Sequence, residues 1–404
     1  MCIIIKKTKE IKTMKKIISV MLSLIMMLGA FAVPSFALTS EEADTHLQYN
    51  EDGTFRIMQI SDIQDFAPMH VITKKLIRAE LDANPVDLIV LTGDNISSTS
   101  LTRLWATWGI AEFMSIFEEY GIPVAVTFGN HDDENTLASK KYQLSVYEKF
   151  DCFVGCAGED FGDTNLCTYY VPIYSSKDAN DMVSNVWVVD SGTYNTETES
   201  GGYACTTKAQ IEWYKEASEK LEKQYGRKIP SLMFQHIIVP NIWDALAESD
   251  PSVPGGIWHD GRYLTLPEGT AGRLGEGPCP PNYSNGQFEA VVERGDVMAM
   301  FFGHDHTNSF ELELDGVGLV NTPGIGFNSY NGDNVGARII TLNENDPWSY
   351  ETEVVSYFDL FDYDDDAARY LYKANTSTVE AKTRFASFFK YLFAAFLDLF
   401  DFLK

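Results

Sequence analysis

From Thr54 onward the chain alternates short apolar runs with longer stretches of helical period, the pattern of a layered α/β domain whose strands are covered by helices. Residues 55–60, 87–91, 123–128, 186–189, 231–234 and 297–302 predict strands, and the apolar positions in 71–82, 104–120, 136–150 and 207–225 recur at helical spacing. After Gly303 the pattern changes to strands without long helices, at residues 309–314, 318–321, 337–342 and 351–357. One long irregular stretch, 240–283, is rich in Gly, Pro and Asp; loops of that length in a compact domain are usually lids or insertions with a function. There are no internal repeats.

Both ends depart from this pattern. Lys15-Lys16 precede an uncharged apolar run over residues 17–33, and Pro34-Ser35-Phe36-Ala37 then places small residues where a signal peptidase reads. Residues 1–37 therefore predict a signal peptide cleaved after Ala37 and a secreted or extracellular protein, with an uncleaved membrane anchor as the alternative. The acidic patch 359–366 and polar 373–378 mark a second boundary, and 385–404 is apolar and aromatic nearly all round, interrupted by Lys390, Asp398 and Asp401. The expected organisation is a leader over 1–37, one domain over 38–362, and an acidic linker with an apolar-aromatic tail over 363–404. The tail reads either as an amphipathic helix on a membrane or cell surface or as a helix packed on the domain; three internal charges make it a poor spanning helix.

Composition adds two exclusions. With 45% hydrophobic and 22% charged residues there is ample material for a core, so general disorder is excluded. The net charge is −27, and losing the leader's six lysines and one glutamate makes it −32, a surface that repels polyanions and disfavours nucleic-acid binding. Five cysteines follow the leader, Cys152, Cys156, Cys167, Cys205 and Cys279, an odd and scattered set that implies no disulfide framework. Cys152, Cys156 and Cys167 lack a nearby fourth ligand and predict a local disulfide or buried thiols rather than a metal site.

The chemistry sits at the strand ends. Five of the apolar runs finish in residues of metal-ligand type: Asp62, Asp94, Asn130 with His131, His236, and His304 with His306. In an open α/β sheet such positions converge at the carboxyl ends of the strands. One buried His after a strand is usually a satisfied core residue; five strand ends carrying only Asp, Asn and His are hard to obtain by chance. Two divalent cations need a bridging carboxylate, with oxygen and imidazole ligands on either side, and Asp94 is the natural bridge. Gly93, Gly129 and Gly303 let the backbone turn sharply before Asp94, Asn130 and His304.

Asp62-Ile63-Gln64, Gly93-Asp94-Asn95, Gly129-Asn130-His131-Asp132, His236 and Gly303-His304-Asp305-His306 resemble, in order and spacing, the five-block signature of the calcineurin-like metallophosphoesterases. The closest sub-pattern is similar to secreted bacterial and fungal phosphatase-like members related to purple acid phosphatases. The resemblance spans roughly residues 54–357. It implies a four-layer αββα sandwich with a dinuclear site at strand ends, holding two divalent ions, with Mn, Fe or Zn expected. Position by position it puts Asp62, Asp94 and His306 on one metal, and Asp94, Asn130, His236 and His304 on the other. It implies hydrolysis of a small phosphorylated substrate by a metal-bridging hydroxide, with His131 as general acid. A phosphomonoesterase is favoured, a phosphodiesterase or nucleotidase is the first alternative, and a non-catalytic binding protein of the same fold is the second.

Two departures from the family pattern matter. The first block usually ends in His, whereas here it ends in Gln64, which leaves three roles open: a ligand, a hydrogen-bond partner of the bridging water, or a weaker site. Purple members carry Tyr three residues after the bridging Asp; Ser97 stands there, so no iron–tyrosinate centre is expected. In some relatives an acid at that position orients the catalytic His, and Asp132, Asp133 and Asp65 are the candidates for that task here. His259, with Arg262 and Arg273 in the 240–283 stretch, is a candidate substrate contact, and Trp243 and Trp258 a candidate aromatic platform. His46 and His70 are expected to be exposed or locally bonded.

Overall fold

A computed structural model describes residues 46–361 except 99, 135, 156–160, 162–165 and 197. The expectations for the leader, for the 363–404 tail and for Cys156 fall outside the described residues. No helix among them is long and apolar enough to cross a membrane.

The first half is built from β-α-β units. Strand β1 (Leu47–Gln48) leads into β2 (Thr54–Ile60), α1 (Val71–Ala83), β3 (Leu88–Thr92), α2 (Arg103–Tyr120) and β4 (Val124–Thr127). All residues of β3 and β4 are buried, as expected of central parallel strands covered on both faces. Thr102 caps the start of α2, and Gly121 ends it in the left-handed region with φ 68°. Next come α3 (Lys140–Tyr147), β5 (Tyr169–Tyr174), β6 (Met182–Val189), α4 (Lys208–Tyr225) and β7 (Ser231–Gln235). The 240–283 stretch carries α5 (Ile242–Ala245), β8 (Ala247–Glu248), β9 (Ile257–His259) and β10 (Arg262–Thr265). The chain then forms α6 (Gln287–Arg294), β11 (Val297–Phe302), β12 (Glu311–Leu314), β13 (Val317–Asn321), β14 (Gly336–Asn343), β15 (Tyr350–Ser356) and α7 (Tyr357–Leu360).

Two large sheets result, one in the order β15-β14-β2-β3-β4 and the other β1-β5-β6-β7-β11-β13-β12, with a three-stranded sheet β8-β10-β9 to the side. Side-chain alternation in the second sheet shows how they stack. Val186, Val188, Leu232, Phe234, Ala299 and Phe301 join one core with β2, β3, β4 and β14, whereas Trp187, Val189, Met233, Met300 and Phe302 join another with Tyr214 and Leu221 of α4 and Phe288 and Val291 of α6. Helices α1 and α2 pack on the far side of the first sheet through Leu76, Ile77, Ile110 and Phe113. The order of layers is helix, sheet, sheet, helix, the four-layer sandwich expected from the strand-end blocks. Each large apolar side chain buried between the sheets contributes about 1.5–3 kcal/mol; Phe234 and Phe301 stack there at 5.0 Å between ring centroids.

Four details differ from the expected elements. The helix expected over 136–150 begins at Lys140, because Ser139 accepts from the Tyr142 amide as its cap while the Thr136 hydroxyl donates to the Ser100 carbonyl. Strand β5 escaped notice because Pro172 interrupts its run, and α6 because it is only eight residues long. The 240–283 stretch is not wholly irregular: β10 pairs with both β8 and β9.

Glu80, buried in the last turn of α1, generates a stability prediction. Burial, then the nearby Asp359 charge, push its carboxyl up to about 8. Above an unfolded value near 4.5 the folded chain keeps a proton that the unfolded chain releases, so stability falls as pH rises from about 4.5 to 8. Glu80→Gln is expected to flatten that fall by up to about 5 kcal/mol in stabilities from denaturant unfolding across the range; an unchanged slope would show that the group is ionised in the fold.

Candidate metal centre

The two sheets present their carboxyl ends to one another. Asp62, Asp94 and Asn130 follow β2, β3 and β4, which are parallel neighbours; His236 and His304 follow β7 and β11, parallel neighbours in the second sheet. Backbone hydrogen bonds fix the loops against each other: Asp62 N to Gly93 O at 3.1 Å, Gln64 N to Asp94 O at 2.9 Å, and Gly303 N to His236 O at 3.0 Å. Two glycines are required by contact. A Cβ on Gly129 would run into the Asp94 carboxylate, and one on Gly303 into the Ser61 hydroxyl. Asp62, Gln64, Asp94 and His304 all have positive φ, at 54°, 40°, 51° and 70°. Such left-handed non-glycine backbone costs free energy and gathers where surrounding structure over-determines it, as at functional sites.

Two sets of donor atoms form. Asp94, His236 and His304 bring theirs within 4.8 Å of one another, as do Asp62, Asp94 and His306, and all five residues are buried. Asp94 belongs to both. His236 Nε2 lies 3.3 Å from Asp94 Oδ2, and His306 Nε2 3.2 Å from Asp62 Oδ1. The far nitrogens of these rings meet carbonyls: His236 Nδ1 bonds Thr92 O at 3.0 Å and His306 Nδ1 bonds Tyr330 O at 2.8 Å. Each ring is thereby turned so that Nε2 faces the centre, the usual outer support of a ligating imidazole. Asp62 Oδ2 accepts from the Ser61 hydroxyl and the His304 amide, which leaves Oδ1 to face inward.

The donor set fits two divalent cations. His304 Nε2 and both side-chain atoms of Asn130 are buried without a hydrogen-bond partner, a costly state for polar atoms unless something is bound there. The donors are carboxylate, amide and imidazole with no thiolate, the company of Mn, Fe or Zn. Without cations the site balances itself with protons. Burial would raise the carboxyl of Asp94, but His236 and His131 outweigh it and hold the group well below the usual range; Asp62 is lowered likewise, against its burial, by His306 and His236. Burial works against protonated His236 and His306, yet Asp94 and Asp62 bring the first up to about 9 and Asp62 the second to about 9. Burial and neighbouring His236 push His304 down to about 3.

The non-ligand candidates divide. His131 stands beside the centre, its side chain about one-third exposed, with its amide donating to Asp94 Oδ1 at 2.8 Å. Gln64 Nε2 donates to Asp94 Oδ2 at 2.7 Å, so it contacts the bridging carboxylate. Asp132 does not face His131: its oxygens accept from the amides of Asn95, Ile96 and Gly129, and it braces the turn from β4. Asp65 likewise accepts from the amides of His70 and Phe66 and from Asn328. The acid that does meet His131 is Glu134, at Nδ1. Sequence reasoning quoted no role for it, although its place three residues after His131 was the available signal. From the insertion, His259 stacks on Trp243 at 3.5 Å and Arg273 pairs with Asp333. Insertion residues that reach the metal loops include Glu276, bonded to Thr307 and Tyr330, and Cys279, bonded to Asp305.

The calcineurin-like phosphoesterase family matches residues 55–308, a span containing all five of these strand ends. The chain belongs to the calcineurin-like phosphoesterases. Within that family it is similar to "Probable inactive purple acid phosphatase 14" of Arabidopsis thaliana, 27% identical over 321 residues that cover 70% of this chain and 73% of the relative. "Probable inactive purple acid phosphatase 29" of the same plant is 26% identical over 332 residues, 74% of this chain and 79% of the relative. "Phosphatase DCR2" of Saccharomyces cerevisiae is 24% identical over 295 residues, 67% of this chain and 47% of the relative. Membership in this phosphoesterase family implies two divalent ions, for which the two buried sets just described are candidate ligands.

Metal loading must expel protons from His236 and His306, which the carboxylates keep charged at neutral pH. Calorimetric titration of the metal-free protein with Mn²⁺ or Zn²⁺ in buffers of different ionisation enthalpy should show release of about two protons at pH 7, with affinity rising toward pH 9. Loading with no proton release would mean that the rings are neutral before binding.

Proposed function

We propose that this calcineurin-like phosphoesterase is a phosphomonoesterase that acts outside the cell on a small phosphorylated substrate. The observation that carries the reading is the pair of buried ligand sets sharing Asp94, with partly exposed His131 beside them. The phosphatase relatives and the Gly-Asn-His-Asp-Asp-Glu wording of residues 129–134 support the monoester preference, and residues 1–37 support export. Residues 385–404 add a membrane or cell-surface association to the reading.

Asp62, Asp94 and His306 would hold one cation, and Asp94, Asn130, His236 and His304 the other. Bound cations supply Lewis acidity to the phosphoryl oxygens and lower the pKa of a water. The chain's own residues do the rest. Asp94 fixes the spacing of the two ligand sets, Gln64 holds one Asp94 oxygen in place, and His131 presents a proton to the leaving oxygen from a position that substrate can reach. Burial of the carboxylates and imidazoles excludes bulk water from the ligand side, which strengthens every charge interaction there.

A second reading, a non-catalytic protein of the same fold, is favoured by Gln64 in place of the family's His and by the word "inactive" in the names of two relatives. The purified protein, stripped with chelator and resupplied with Mn, Zn or Fe, is expected to hydrolyse a nitrophenyl phosphomonoester faster than the matching bis-ester. On an alkyl phosphate, whose leaving oxygen needs a proton, His131→Ala should lower the rate by about 10²–10⁴-fold with metal content intact. Faster bis-ester turnover would select the diesterase, and two bound metals with no turnover of either ester would select the non-catalytic reading.

A further inference from the structure

We infer that the exposed apolar face of α2 is the docking surface for this chain's own residues 385–404, which fold back over it in lipid-free solution.

Helix α2 is apolar on two faces. Ala106, Ile110, Phe113 and Phe117 are buried in the core beneath it. Leu104, Trp105 and Trp108 lie on another face, 72%, 41% and 42% exposed. Leu101, just before the helix, and Leu137, in the loop after β4, are 59% and 73% exposed. The Leu137 amide donates to the Leu101 carbonyl at 3.3 Å, and Arg103 Nε donates to the Leu137 carbonyl at 3.3 Å, which holds the two leucines at the same end of the helix. Positions 101, 104, 105 and 108 follow helical spacing and form one stripe. Single exposed leucines are ordinary, but a contiguous patch of five large apolar side chains marks a binding face.

The occupant is indicated by where the chain goes next. Helices α1 and α2 run parallel, joined by Lys74 with Glu112, Arg78 with Glu119 at 2.6 Å, and the Tyr120 hydroxyl on Asp82 at 2.7 Å. Their first turns therefore share one end of the helical layer. Phe361, the last residue described, has its ring 4.0 Å from the ammonium of Lys75, at the start of the second turn of α1. The exit point and the stripe are separated by the width of α1 and the spacing of two packed helices, roughly 20 Å. Residues 362–384 supply the connection, and a chain of that length has an r.m.s. span of roughly 25 Å. A tether matched to its gap holds the segment that follows at an effective concentration of the order of millimolar.

The segment has the pattern that such a stripe would take. Phe385, Phe389, Leu392, Phe396, Phe400 and Leu403 recur at helical spacing, while Lys390, Asp398 and Asp401 fall on the opposite side of the same period. Its charges leave one face to bury. The apolar run over 17–33 has no charged side to turn outward, which makes it a poorer match for a surface stripe. The surface association proposed above uses the same apolar face of 385–404, so a bilayer and α2 compete for it. Docking also bears on the metal centre. The stripe's loops follow Asp94 and His131 and are joined by the Thr136 hydroxyl, which donates to the Ser100 carbonyl at 2.6 Å, so a segment seated on Leu101 and Leu137 braces both.

Photocrosslinking of the full chain in detergent-free buffer tests this. With benzoylphenylalanine in place of Leu104, irradiation should join position 104 to a peptide from 385–404 of the same molecule, leaving a species of monomer mass. A link to 17–33, a link between two copies, or no link would overturn the proposal. A second measurement needs no crosslink. In ¹⁹F NMR of the chain labelled with 5-fluorotryptophan, the Trp105 and Trp108 signals, assigned by Trp105→Phe and Trp108→Phe, report on cover over the stripe. They should move to the position of solvent-exposed tryptophan in a Phe389→Asp, Phe396→Asp double variant and stay in place in Ala394→Asp, whose new charge lies on the outward side. Signals that ignore the double variant, or that respond equally to Ala394→Asp, would overturn the assignment of 385–404 as the occupant.

Discussion

A carboxylate with no access to water must find its compensation inside the fold, and Asp94 is such a group. An isolated charge there would cost many kcal/mol and would protonate instead. Its compensation comes from three directions: the His131 amide on one oxygen, the Gln64 amide on the other, and the His236 ring beside it. The first two arrive on loops of the five-stranded sheet and the third from the seven-stranded sheet. Satisfying one buried charge thus ties the two sheets together at their carboxyl ends, where the hydrophobic core between them gives no directional preference of its own. The bond from His236 Nδ1 to Thr92 O and the bond from Gln59 Nε2 to Phe302 O cross the same seam.

That seam also accounts for the strained backbone. Four non-glycine residues with positive φ lie at the centre, and each costs of the order of 1 kcal/mol or more. The strain is held by strands buried on both faces, whose ladders would have to shift register to release it. Asp62 shows the mechanism: its amide donates to Gly93 O, its carbonyl accepts from Gly326, and one carboxylate oxygen is fixed by Ser61 and His304. The remaining oxygen has one direction left, toward His306. Preorganisation of this kind lets a metal site form without paying for side-chain ordering when the ions arrive.

The framework was legible in the sequence because it rests on periodicity and on residue type at strand ends. The runs ending at Asp62, Asp94 and His236 are strands for the reason that made them readable: consecutive, mostly apolar side chains in strands covered on both faces. The ligand types were legible for the same local reason. The roles of Gln64, Asp132 and Glu134 were not, because each depends on which way a side chain leaves a tight turn. Three consecutive acids follow His131, and no propensity separates them. Backbone amides of Gly129, Asn95 and Ile96 claim Asp132, and of the two acids that follow it is Glu134, three residues past His131, whose side chain reaches the ring. The insertion posed the same problem, since composition marked 240–283 as important but could not tell that Glu276 rather than His259 would reach the metal loops.

The charge of the chain gives the centre a further consequence. At −27 overall the surface repels a phosphate dianion at long range, by an amount that salt screens over about 10 Å. The cationic neighbours of Asp62 and Asp94 are imidazoles, and those imidazoles lose their protons when they ligate a metal. The positive charge that receives phosphate must then come from the two ions themselves, whose four charges exceed what the ligating carboxylates Asp62 and Asp94 remove. In this fold metal occupancy and anion attraction are one variable. On the phosphomonoesterase reading proposed above, this site would draw a phosphorylated substrate through its metals rather than through the acidic surface around it.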